Sequence, residues 1–215
     1  MRCATMPNVA ETKTRRGRAD KRQAILDVAF TVFAERGYRQ TCVQEIADAA
    51  GVAKPTVYNH LADKETLFRE AMLAAADAAA AEYTAAVDRL RDPGPDLRAA
   101  LTDTAARLLR GGSGERGRAL HRLASAHSAE YPALVDEVMR RTMIHLREAL
   151  ADRLARLALA GTLRPCDPDV AAEQFLALLT APLETRTRLG TRTPTAAELR
   201  AIADSATDTF VRAYT

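Results

Sequence analysis

Lys54, Thr56, Tyr58, Asn59, His60 and Lys64 crowd one short stretch of the chain, and most of their side chains share one kind of chemistry. Hydroxyl and ammonium groups donate to phosphate oxygens, an asparagine amide pairs with the edge of adenine, and a lysine reaches a guanine or a phosphate. His60 is open between groove, phosphate and core. Thr41 adds another hydroxyl a little upstream. Arg15, Arg16 and Arg18 belong to a basic N-terminus in which Arg2, Lys13, Lys21 and Arg22 also stand against only Glu11 and Asp20, a local charge of +5 in a chain of net charge +3. Every lysine lies within the first 64 residues. A basic arm attracts phosphate by counterion release and can enter a narrow minor groove; a solubilising tail is the plainer reading of the same residues.

Such side chains work only if a frame holds them. Thr41 and Gln44 have the spacing of a capping box, which predicts a helix from Val43 with Val43, Ile46, Ala47 and Ala50 on its inner face. Gly51 ends it by accepting a positive φ, and Ala47 has no bulk to hold a second helix away. Pro55 suits the first turn of that second helix, from which Val57 projects inward toward Ala47 and Ile46. The result is a helix-turn-helix whose second helix presents Lys54, Thr56, Tyr58 and Asn59. A bracing helix is predicted from the Asp20–Gln23 capping box to Gly37, with Ile25, Val28, Ala29, Val32 and Phe33 on one face. Asp63 caps a fourth helix that runs to about Arg91, where Asp92-Pro-Gly-Pro95 stops it.

Beyond this head the pattern stays helical. Hydrophobic residues make up 47% of the 215, aromatics only 5%, and Ala and Leu dominate, so almost no strand is expected. Further helices are predicted from Asp96 to about Arg110, from Glu115 to about His127 after a flexible Gly-Gly-Ser-Gly114 loop, and from Tyr131-Pro132 to Gly161. Asp167-Pro168 opens another that ends near Gly190 with Pro182 inside it, and Thr193-Pro194 opens the last. Residues 1–19 lack periodicity and are expected to be disordered without DNA. Cys3, Cys42 and Cys166 form no Cys-x-x-Cys pair, no secretory signal precedes them, and no apolar run approaches the ~20 residues of a membrane span. A soluble protein of the reducing cytoplasm is expected. His121, His127 and His145 are not at metal-binding spacing, so no metal or cofactor is expected, and no nucleophile elbow, phosphate loop or His-Glu-x-x-His run suggests an enzyme.

The run Gly51-Val-Ala-Lys-Pro-Thr-Val-Tyr-Asn-His60 followed by Asp63-Lys-Glu-Thr-Leu-Phe68 closely resembles the signature of the TetR/AcrR family of bacterial transcriptional regulators, with Leu61 where that family usually carries an aromatic residue. The segment from Tyr131-Pro to Asp167-Pro-Asp-Val-Ala-Ala-Glu-Gln-Phe-Leu is similar to the C-terminal domain of its AefR-like branch. The resemblance implies an all-α fold of about nine helices: a basic arm over 1–19, a DNA-binding head over 20–68, and a ligand-binding and dimerisation body over 69–215. It also implies that Thr41, Thr56, Tyr58 and Lys64 hold phosphates. One head makes few base contacts, so a homodimer on a palindromic double-stranded operator is expected. In the family the last two helices pair with their mates, and Ala171, Phe175, Leu178 and Phe210 are candidates for that face or for the subunit's own core. A pocket for a small, largely apolar effector is implied in the body, where His121, His127, Tyr131, Met139, Met143, His145 and Phe175 are the adaptable or polar-tipped residues. The expected function is a repressor released by that effector; an activator or global regulator without small-molecule input, and a helical adaptor, are the alternatives.

Overall fold

A computed structural model describes the backbone of residues 9–188 and 190–215 and the side chains from Arg18 onward, Leu189 excepted. Among these residues there is no strand. The helices are α1 (Val9–Arg36), α2 (Val43–Ala49), α3 (Lys54–His60), α4 (Lys64–Val87), α5 (Leu97–Ser113), α6 (Glu115–Ala126), α7 (Pro132–Met139), α8 (His145–Leu159), α9 (Pro168–Thr187) and α10 (Ala196–Tyr214). A 3-10 turn, Asp88–Arg91, follows α4, and a π segment, Arg140–Ile144, joins α7 to α8 into one long run, which leaves nine helices in effect among the described residues. The chain divides into two compact units, one up to Ala75 and one from Ala76.

In the first unit α1 begins at Val9, so residues 9–19, expected to lack order, are helical, and Asp20 is not a helix start. Residues 1–8 lie outside the described part. Ala, Glu, Lys and Arg dominate this extension, and they form helix without any apolar face to bury. Periodicity marks burial rather than helix, which is why it was silent here. Further along, Ile25, Leu26, Ala29, Phe30 and Phe33 are buried. Phe33 meets Phe68 edge-on at 5.1 Å, and Tyr38 covers Phe68 at 4.8 Å. Three aromatic rings from α1, its exit and α4 thus fill the centre of the unit.

The second unit is built on α10, α5, α9 and α8. Leu101, Leu109, Leu150, Leu154, Ile202 and Phe210 are buried in one cluster. Asp96 caps α5 by accepting the Ala99 N–H at 2.9 Å, and Asp167 caps α9 through Asp169 and Val170. The last helix is capped one residue pair later than expected, by Thr195 and Glu198 in a reciprocal box. Arg188 in the left-handed region ends α9 ahead of Gly190.

The Gly-Gly-Ser-Gly run is not a loop. Gly111, Gly112 and Ser113 complete α5, and only Gly114 lies outside a helix. Space explains these glycines: a Cβ on Gly117 would collide with the backbone carbonyls of Gly111 and Gly112, so α6 leaves α5 at a corner that only bare backbone allows. On another side of the same pair, the Tyr83 ring lies so close that a Cβ on Gly111 would sit 3.0 Å from its Cε1.

Candidate nucleic-acid interface and body cavity

The reading pair is fixed by a few contacts. α2 is capped by Cys42, whose N–H donates to the Glu45 carboxylate at 2.9 Å, and not by the expected Thr41–Gln44 pair. Thr41 is drawn the other way, its hydroxyl donating to the Gly37 carbonyl at 2.8 Å with only 2% of the residue exposed. That side chain therefore ties the start of α2 back to the exit of α1. Gly51, at φ +63°, closes α2, and the Val52 N–H returns to the Ala47 carbonyl at 2.9 Å. Ile46 and Ala47 are fully buried, and Val57 fixes α3 against them at 1% exposure, while Ala50 is only half-buried.

With Val57 inward, Lys54, Tyr58 and Asn59 are exposed along the outer face of α3 and Thr56 and His60 are half-buried at its sides. Tyr58 is among the few large apolar groups left open to solvent, at 43%. Leu61 is buried. Lys64 is neither free nor loosely solvated: its Nζ donates to the Arg39 carbonyl at 3.3 Å and lies 4.6 Å from the centre of the Tyr38 ring. Arg18 is exposed on α1; Arg15 and Arg16 belong to the same helix, with side chains outside the described part.

Acidic groups near the pair are already engaged. Glu45 is held below its ordinary range by the Cys42 N–H and then by Arg36, with which it forms an ion pair, and Asp63 by the Thr66 N–H that it caps at 2.6 Å. Carboxylates tied in this way oppose an approaching polyanion less, and the outward side chains of α3 are left cationic or neutral.

The body contains a cavity of about 370 Å³ walled by α5 to α9, the π segment and Tyr83 of α4. His121, Met139 and Met143 line it, as the sequence suggested; His127 and Phe175 do not. His127 packs against Tyr131 and lies 3.6 Å from Glu130, and Phe175 is fully buried against Phe210 at 5.0 Å. Ala171, Phe175 and Phe210, considered for a dimer face, all fill the subunit's own core, and Leu178 alone of the four is partly open. Apolar residues on both sides of α9 left the sequence unable to say which side turned inward, and the large rings went to the core. Gln174, Ala177, Leu178, Ala181 and Thr185 make up the outward stripe.

Sequence reasoning missed Tyr83, Arg118, Thr180 and Glu184 in the cavity wall. The one available signal was the spacing of Gly111, Gly112 and Gly117, which seats Tyr83 and brings α6 in close. The π segment also borders the cavity, through Thr142 and Met143, and carries Arg141, whose guanidinium holds both Asp77 oxygens at 2.9 and 2.8 Å and Glu137 at 2.7 Å. Among the described residues no group of His, Cys, Asp or Glu could hold a metal ion, and no helix is long and apolar enough to cross a membrane.

Known proteins share both parts. Residues 25–71 match the bacterial regulatory proteins of the tetR family, and residues 99–215 match the C-terminal domain of AefR-like transcriptional repressors. The HTH-type transcriptional repressor KstR2 of Rhodococcus jostii is 46% identical over 54 residues, 25% of this chain and 26% of that protein. The HTH-type transcriptional regulator AcrR of Shigella flexneri is 45% identical over 58 residues, 27% of each. The chain thus spans about a quarter of the length of these curated relatives. Among solved structures, a TetR-family transcriptional regulator from Mesorhizobium loti superposes with a TM-score of 0.85 at 29% identity, over 92% of this chain and 98% of that one. The flavonoid-responsive regulator FrrA does so with a TM-score of 0.67 at 26% identity, again over 92% and 98%. With the AefR-like domain alone taking in more than half of its residues, the chain belongs to the TetR family of bacterial regulatory proteins.

Proposed function

We propose that the protein is a sequence-specific DNA-binding repressor that works as a homodimer on a palindromic operator and is released by a small, largely apolar molecule. The observation that carries this reading is the outer face of α3, where Lys54, Tyr58 and Asn59 stand exposed while Val57 locks the helix onto α2. Lys54 and Asn59 are the residues for base edges and Tyr58 and Thr56 for phosphates, with the basic α1 adding charge attraction. Lys64 contributes by stiffening the α1–α2 junction through Arg39 and Tyr38 as well as by its charge. The outward stripe of α9 is the face assigned to the partner subunit. Release follows from population shift: an effector that binds one body conformation more tightly draws the dimer toward it, by no more than that difference in affinity.

A similar protein supports an activator as the second reading: the HTH-type transcriptional activator FasR of Mycolicibacterium smegmatis is 36% identical over 78 residues. Selection of bound sequences from random duplex DNA at two salt concentrations tests the DNA-binding reading. The expected result is a palindrome with half-sites about 34–36 Å apart and affinity that falls steeply with salt. Enrichment of no sequence would overturn it. The position of the footprint relative to the promoter then separates repressor from activator.

A further inference from the structure

The cavity wall holds polar groups that the fold does not use, among them the Tyr83 phenol. Tyr83 is the only α4 residue among the described residues that line it. Its ring lies across two glycines, with the space for a Cβ at Gly112 only 3.7 Å from the hydroxyl and that at Gly111 3.0 Å from Cε1. Glycine is unfavourable inside a helix, and here the bare backbone, at Gly111 above all, gives the ring a flat seat. The hydroxyl held there finds no hydrogen-bond partner among the described residues. Burial, and secondarily Glu82, raises the phenol above its ordinary range, so it remains a neutral donor and acceptor at physiological pH.

The charges around it are balanced. Arg118 and Glu184 are the two charged residues of the wall, and Arg118 is turned to the Ser113 carbonyl. A ligand of either sign would therefore meet one like charge for each opposite one. Apart from His121, Thr142, Thr180 and Thr187, the remaining wall is aliphatic, thioether or bare glycine backbone, with Leu108, Leu146, Leu179, Met139 and Met143 as its larger apolar members. An apolar body suits such walls, and an uncharged hydrogen-bonding end suits the phenol.

Resting on the reading of this cavity as the effector site, we propose that it takes an electrically neutral, mainly apolar molecule with a hydroxyl at one end, and that Tyr83 Oη is the group that selects for that hydroxyl. A bound hydroxyl completes the hydrogen bonding of Tyr83 and so acts directly on α4. An ether or a hydrocarbon end leaves the phenol with a poorer partner or none, and a charged end meets a like charge beside the opposite one and so gains no net attraction to offset its desolvation.

The full chain is titrated calorimetrically with four probes that share one tail: 4-hexylphenol, 4-hexylanisole, 4-hexylbenzoate and 4-hexylbenzylammonium. The expected result is that the phenol binds about tenfold more tightly than the anisole and than either ion. In Tyr83→Phe, which keeps the ring on its glycine seat, the phenol falls to the level of the anisole. A benzoate or benzylammonium that binds best overturns the neutral class. A phenol preference that survives in Tyr83→Phe overturns the role of Tyr83, and absence of binding by all four probes overturns the proposal as a whole. No DNA is present in the titration, so its failure leaves the DNA-binding reading standing, and a failed operator selection leaves the chemistry of the cavity standing.

Discussion

The two units are built on opposite principles of packing. In the head, Phe33, Tyr38 and Phe68 pack ring on ring, Val57 and Ile46 have essentially no exposed surface, and even Lys64 is tied to a carbonyl and an aromatic face. In the body, a comparable set of apolar residues surrounds about 370 Å³ of unfilled space, and backbone meets backbone at Gly111, Gly112 and Gly117. A filled core has one arrangement and holds α3 at a fixed angle. A core with a hollow has room for a second arrangement, which an occupant can select. On the proposed function, the difference assigns rigidity to the part that would read DNA and adaptability to the part that would take an effector.

The largest expected effect breaks the filled core. Phe68→Ala removes a ring that meets both Phe33 and Tyr38 and should cost about 4 kcal/mol, read as the free energy of chemical unfolding. Hydrogen exchange should show the loss concentrated in α1 to α3. Spread evenly over both units, it would contradict their separate cores. Gly117→Ala is the counterpart in the body. Its Cβ meets carbonyl oxygens that cannot swing aside, so α6 must shift from α5, at a cost of about 2 kcal/mol and with loss of cavity volume. A melting temperature equal to that of the wild type would mean that the corner is slack.

Smaller effects separate reading from folding. Lys54→Ala and Tyr58→Ala remove exposed side chains and should leave the unfolding free energy within about 0.5 kcal/mol. Each should weaken operator binding by about tenfold, and Lys54→Ala should also lower the salt slope by about one if it meets a phosphate. Weakened folding without weakened binding would move these residues from the interface into the frame.

The comparison also accounts for what could be read from the sequence. The turn between α2 and α3 was legible because Ala47, Gly51 and Val57 act on immediate neighbours in the chain, and each admits few alternatives. The cap was misplaced by one position because Thr41–Gln44 and Cys42–Glu45 overlap at the same spacing. The choice was made by Gly37, whose carbonyl takes the Thr41 hydroxyl, a contact that no spacing rule contains. The body hid more. Glycine signals either freedom or closeness, and Gly-Gly-Ser-Gly looked like freedom until α6 and Tyr83 were seen against it. Phe175 and Met143 are both large and apolar, yet one is core and the other cavity wall, because distant helices decide which positions find a partner.

The smallest effect concerns acid, and here too the units differ. In the body, Arg140 and Arg141 hold the Glu137 carboxyl down to about 2, and Arg192 together with the Thr195 N–H holds Glu198 to about 2. In the head, Glu45 and Asp63 are lowered chiefly by backbone N–H groups. A carboxyl whose pKa is lower in the folded state stabilises fully above its unfolded value of 4.5 and loses that contribution as pH falls toward about 2. Glu137→Gln should therefore lower the urea midpoint of the body at pH 7, and the gap from the wild type should narrow between pH 4.5 and 2 as the wild-type carboxyl is protonated. Arg140 is exposed and Glu137 and Arg141 are still partly open to solvent, so the gap should be small and should shrink further in high salt. The head should keep its own pH dependence in this variant. A gap that stays constant across the acid range would show that Glu137 acts through packing of its side chain, and that the guanidinium groups of Arg140 and Arg141 find other partners at no cost.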